Sequence, residues 1–135
     1  MNEFHARHAI GAPVQARALV AADDFSARYD LDRIGGVFSR PGHKLAGRSY
    51  AGLVLVLNAV KGGVATAWML FEMQARGAAP AAFIFNSVNP ILVQGAAFAG
   101  LTLMSGFDLD ITAAIPDGAM VALEPDLAPP RVRLL

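Results

Sequence analysis

Lys61-Gly62-Gly63 is the part of this chain best suited to chemistry. It follows the apolar run Leu53–Leu57 and precedes a helical stretch that ends at Gly77. A helix N-terminus offers unpaired N–H groups and a partial positive charge. Glycines let a ligand come close to such a backbone, and Lys61 would add a point charge. The natural guest is a carboxylate or a phosphate. A plain strand-to-helix connection uses the same glycines, so the motif alone leaves both readings open.

Other polar residues are candidates of lesser weight. Ser26, Arg28, Asp30 and Asp32 form a cluster after Phe25, and Arg28 could clamp a substrate carboxylate at two points. Turn chemistry and surface ion pairs account for the same cluster. His43, after Pro41-Gly42, could donate to a ligand; the simpler account is a loop histidine holding a backbone carbonyl. His5 and His8 have the spacing of two metal ligands on a helix, but no third ligand lies nearby. Asp108 and Asp110, two apart, would share an exposed strand face. Trp68 and Phe71 read as core residues rather than cofactor stackers.

The elements that must position these residues follow from pattern. Residues 1–13 read as a loose start. Val14–Ala21 alternates weakly, as a strand does. Asp23–Leu45 is rich in Asp, Arg, Gly and Ser and reads as a long loop with short strands, of the kind that carries function. Ser49–Leu57 reads as a strand covered on both faces. Val64–Arg76 is helical, with Val64, Trp68, Phe71 and Ala75 on one face, a Glu72–Arg76 pair, and Gly77 as its cap. Ala81–Phe85 is a second buried strand. Asn89 caps a helix from Pro90 to Ala97. Leu101–Met104 is a further strand. Ile111–Ala114 and Ala119–Glu124 flank the turn Pro116-Asp117-Gly118 in a β-dominated end, and Val132–Leu135 adds a last strand. The expectation is a single α/β domain over 1–135, a mixed sheet or barrel-like core with two helices.

Composition narrows the function. Apolar residues make up 55% and charged residues 16%, more greasy surface than one small domain can bury, which points to a partner chain. The apolar runs are broken by Lys61-Gly62-Gly63 and by Asn86, Asn89 and Pro90, too soon for the roughly 20 residues a membrane span needs. Eleven basic and 11 acidic residues give no basic stripe for nucleic acid. The chain has no cysteine, hence no disulfides and no thiolates for an iron–sulfur cluster. The first residues lack a signal peptide's apolar region, so a cytoplasmic protein is expected.

Two ordered sets of residues carry a resemblance. One runs Ser26, Asp32, Gly36, Pro41, His43, Leu45, Gly47; the other runs Lys61-Gly62, Glu72, Gly77, Ala79-Pro80-Ala81, Asn89-Pro90-Ile91, Gly95-Ala96. From about Leu19 to Leu134 the chain resembles the small subunit, or swivelling domain, of the aconitase X group, which includes 3-hydroxyproline and phosphomevalonate dehydratases. The resemblance implies a swivelling β/β/α domain and a hydro-lyase component that does not act alone. A larger cysteine-containing subunit would hold an iron or iron–sulfur centre, and this chain would bind no cofactor and form half of the cavity. It further implies that Lys61, Gly62, Gly63, Ser26, Arg28 and His43 line the site of a small hydroxy acid such as cis-3-hydroxyproline. Ala-rich, Arg-over-Lys usage favours the hydroxyproline branch.

The chain departs from the family at a decisive point. Gly63 stands where the family has its catalytic serine, and Ala27-Arg28-Tyr29-Asp30 replaces an aromatic, double-glycine segment. Glycine cannot accept a proton, so the family mechanism does not carry over intact. Thr66, one helical turn on, is the nearest hydroxyl. A non-catalytic structural or regulatory paralogue, or an enzyme of changed chemistry, is the alternative.

Overall fold

A computed structural model describes residues 2–61 and 64–135. Its eight-stranded sheet runs in the order β1 (Glu3–His5), β10 (Arg131–Leu134), β9 (Met120–Glu124), β3 (Val14–Val20), β6 (Val54–Leu57), β7 (Ala82–Phe85), β8 (Thr102–Ser105) and β2 (His8–Ile10). Strands β3, β6, β7 and β8 are mutually parallel; the remaining pairings are antiparallel. A small β4–β5 pair (Leu31–Asp32 with Val37–Phe38) sits in the long connection after β3.

The residues expected to be loose are the ones that join the sheet's two margins. β1 pairs with β10 and β2 with β8, and only Ala6 and Arg7 separate them. The Ala6 N–H donates to Pro130 O and the Arg7 N–H to Gly106 O, so segment 3–10 curls the sheet toward a barrel. Local sequence gives no sign of this, because the partners lie about a hundred residues away. The same finding removes the helix on which His5 and His8 would have shared a face, since they stand on two different strands.

Helices α2 (Val64–Ala75) and α3 (Pro90–Ala99) cross between parallel strands, and the one-turn helices α1 (Ala27–Asp30) and α4 (Ile111–Ala114) bring the described helices to four where two were expected. Residues 111–114, expected at the β-rich end, instead form α4 because Asp110 caps them by accepting from the Thr112 N–H. Asn89 caps α3 as its sequence suggests, accepting from the Leu92 N–H at 2.8 Å, with Pro90 at the first turn. Gly77 ends α2 at φ +71°. The strand expected from Ser49 begins only at Val54, after a turn that closes with Leu53 N–H on Tyr50 O.

Two cores result, one on each face of the sheet. Leu55, Leu57, Phe83 and Phe85 pack with Leu70, Met73, Leu92 and Ala96 of α2 and α3. Val54, Val56, Ala82 and Ile84 face the interior with Met104, Val121, Leu123, Val132 and Ile111 and Ile115 at α4. Strand period two sends alternate residues to opposite faces, and both faces are covered. α2 and α3 touch closely: a Cβ on Gly95 would lie 2.7 Å from Ala67 Cα. The inward side of α2 is not the one its sequence pattern suggests. Thr66, Leu70 and Met73 are buried, whereas Trp68 and Phe71 are 64% and 42% exposed and meet the exposed Phe98 of α3, Trp68 edge-on and Phe71 tilted. α2 is apolar on several sides, so its pattern does not single out the inward one. Among the described residues, no helix is long and apolar enough to cross a membrane.

Candidate functional site

The first polar residues beyond the carboxyl ends of β3, β6 and β7 converge on one rim. In sheets of this kind, ligands bind outside those strand ends. Asn58 follows Leu57 of β6 and Asn86 follows Phe85 of β7, and the Asn86 N–H donates to Asn58 O at 3.0 Å. Asp23 and Asp24 come from the connection after β3, whose Phe25 bridges to Val60 in parallel. The Phe25 N–H donates to Ala59 O and the Lys61 N–H to Phe25 O. The backbone of residues 59–61 is thereby tied to the backbone of Phe25.

A chain of side-chain hydrogen bonds runs along this rim with one polarity. The Ile111 N–H donates to Asn86 Oδ1 at 2.8 Å, which orients that amide. Its Nδ2 then donates to Asp110 Oδ1 at 2.8 Å and to Asn58 Oδ1 at 3.1 Å. Asn58 Oδ1 is therefore an acceptor, and its Nδ2 turns to Asp24 Oδ1 at 3.0 Å. Lys61 Nζ lies 4.0 Å from Asp24 Oδ2. Asp110 is held below the ordinary carboxylate value by the hydrogen bond from Asn86 first and by those from Thr112. For Asp23, burial pushes upward, but N–H bonds from Lys44 and Asp24 outweigh it, with His43 and Arg40 adding attraction, and the net direction is down.

The structure brings together only some of the residues singled out by sequence. Lys61 is exposed on the rim, whereas Gly62 and Gly63 lie outside the described residues. Ser26 is 3% exposed; its hydroxyl caps α1 by accepting from the Tyr29 N–H, and its N–H donates to Asp30 Oδ2. It shapes the loop and turns its hydroxyl inward. Arg28 is exposed and lies over the Tyr29 ring; among the described residues no hydrogen bond or ion pair ties it to the rim. Thr66 is 2% exposed on the inner side of α2, closed off from a ligand.

His43 has no exposed side-chain surface. Its Nδ1 accepts from the Leu45 N–H at 3.0 Å, which places the proton on Nε2, and Nε2 donates to Asp24 O at 2.8 Å. The carboxylates of Asp23 and Asp30 stand 3.8 and 3.9 Å from Nε2, and Phe38 stacks on the ring. Both nitrogens are used, so His43 is not a ligand contact as it stands. It is the loop histidine holding a backbone carbonyl, and that carbonyl belongs to a rim residue. Asp108 and Asp110 share no strand face: Asp108 pairs with Arg7, while Asp110 caps α4.

Asp24, Asn58 and Asn86 were not singled out as site residues from sequence, and Asp110 was singled out only as a partner of Asp108 on a strand. Their signal is present in Asn58 and Asn86, each the first polar residue after a buried run. That signal gains meaning only when the two strands are known to be neighbours. Among the described residues, no group of three or more His, Asp or Glu side chains could hold a metal ion, and the chain has no cysteine.

Residues 3–128 match the family model described as the aconitase X swivel domain. A protein of Methanopyrus kandleri named phosphomevalonate dehydratase small subunit is 33% identical over 84% of this chain and 84% of its own length. One of the same name from Methanothrix thermoacetophila is 32% identical over 76% of this chain and 74% of its own. The fold is that of the crystal structure of Thermococcus kodakaraensis aconitase X in its holo-form: TM-score 0.89 at 21% identity, covering 100% of this chain and 99% of that one. The curled sheet, the covering helices and the sequence match agree, and the chain belongs to the aconitase X swivel domain family.

Proposed function

We propose that this chain is the small subunit of a two-subunit hydro-lyase that removes water from a small hydroxy acid. The observation that carries this reading is the match along most of both chains to proteins named as dehydratase small subunits. A larger partner supplies the other half of the cavity and, in keeping with the absence of cysteine here, the iron or iron–sulfur centre. This chain's own residues bind and orient. Lys61 offers an ammonium to a substrate carboxylate or phosphate, and the amide of Asn58, oriented by Asn86, lies on the same Asp24 carboxylate. The relatives' names favour a phosphorylated hydroxy acid; composition favours cis-3-hydroxyproline.

Co-expression with the larger subunit and assay of both acids tests the reading. Activity is expected from the complex and not from either chain alone. Lys61→Ala should raise KM about tenfold, the worth of one charge-assisted contact, with kcat less affected. Turnover by the single chain would reject the proposal. A complex inactive towards hydroxy acids would favour the alternative of a structural or regulatory paralogue, which Gly63 in the family's serine position motivates.

A further inference from the structure

We propose that Asp24 is the proton acceptor that replaces the serine missing at position 63; this rests on the dehydratase reading above. Four carboxylates border or underlie the rim, and three are committed elsewhere. Asp30 is 3% exposed and takes Arg40 Nε on one oxygen and the Ser26 N–H on the other. Asp23 accepts the Asp24 N–H on Oδ1 and the Lys44 N–H on Oδ2. Asp110 receives Asn86 and both the N–H and hydroxyl of Thr112 on one oxygen, and it belongs to the α4 side of the rim rather than to the side of Lys61.

Asp24 differs from Asp23 and Asp30 in its open oxygen, and from Asp110 in standing beside Lys61. Its side chain is 32% exposed, and Oδ1 is held by Asn58, the end of the oriented amide chain. Among the described residues no hydrogen bond reaches Oδ2; Lys61 Nζ stands 4.0 Å from it, beyond hydrogen-bond length. Its carbonyl is pinned by His43, and the next residue, Phe25, is paired with the backbone of Val60 and Lys61. A carboxylate with one oxygen fixed and one open, beside a cationic anchor and tied to the backbone that carries Lys61, has the geometry of a general base.

The step balances without a redox partner. Asp24 Oδ2 takes the proton from the carbon next to the substrate's carboxylate, and the C–H electron pair forms the C=C bond. The C–O bond to the hydroxyl on the adjacent carbon breaks. That hydroxide takes up a proton and leaves as water, and Asp24 returns its proton to solvent.

The test uses the complex of full-length chains with the hydroxy acid it turns over. Asp24→Asn keeps an oxygen for Asn58 but cannot accept the proton, so kcat should fall about 100- to 10,000-fold, with KM within about threefold because the substrate's anchor remains. Asp24→Ala should lose as much and regain part of its kcat in millimolar formate, a rescue that a merely structural carboxylate would not give. Asp108→Asn, on the exposed Arg7 pair, serves as the control. If Asp24→Asn retains kcat within a few-fold, or if Asp24→Ala is inactive, folded by circular dichroism and not rescued, Asp24 is not the base and the dehydratase reading survives. A wild-type complex inactive on every hydroxy acid would remove both.

Discussion

Strand β3 divides the molecule, and its two ends show what each half demands. Val14–Arg17 pairs antiparallel with β9, and there Gln15 and Arg17 are exposed between partly buried neighbours. Ala18–Val20 pairs parallel with β6, and there Ala18 and Leu19 are both buried. The pattern changes where the partner changes. On the parallel side, helices cover one face and the barrel interior the other, so all four residues of β7 are buried. On the antiparallel side only the interior is filled, and β10 buries Val132 between the half-exposed Arg131 and Arg133. The polar rim stands at the end of the doubly covered half, where rigid strands fix where each following residue begins.

That contrast can be broken residue by residue. Phe85→Ala should cost about 3–5 kcal/mol and Ile84→Ala, on the opposite face, about 2–5 kcal/mol, by chemical denaturation. If either neighbour were tolerated, β7 would not be covered on both sides. Gly95→Val should cost about 1–3 kcal/mol, because its Cβ would sit 2.7 Å from the α2 backbone at Ala67. A stabilised variant would mean that the helices part easily. Acid sharpens the comparison further. Asp23 and Asp110 are held below their ordinary value of 3.8 in the folded chain. Their contribution is fully present above that value and is lost as pH falls below it through the folded values. Asp110→Asn should therefore flatten the fall of Tm below about pH 4, and an unchanged acid limb would contradict this. The smallest effect belongs to the antiparallel edge. Arg133→Ala, removing one exposed partner of Glu124, should shift Tm by at most a few degrees, and less in high salt.

The fold was more legible than the site, for a physical reason. Buried strands, the Asn89–Pro90 helix start and the Gly77 stop are local events, written in neighbouring residues. The segment of residues 23–45 was legible as a long loop with short strands but not in the roles of its side chains, because a serine that caps a helix and one that meets a ligand look alike. His43 shows the same limit: its two partners, Leu45 N–H and Asp24 O, could not be assigned without the loop's path. Trp68 and Phe71 misled because aromatic residues are usually core, while here the inward side of α2 was taken by Leu70 and Met73.

What the sequence by itself determined was the buried strands and two long helices of the middle, the family, the lack of thiolates and a glycine at position 63. These depend on residue identity and short-range order. Only the tertiary structure decided that segment 3–10 joins the sheet's margins, and that Asp24, Asn58, Asn86 and Asp110 form one hydrogen-bonded rim. Such contacts arise from parallel pairing of strands distant in sequence, and a hydrogen bond's direction exists only once its partners stand within about 3 Å of each other.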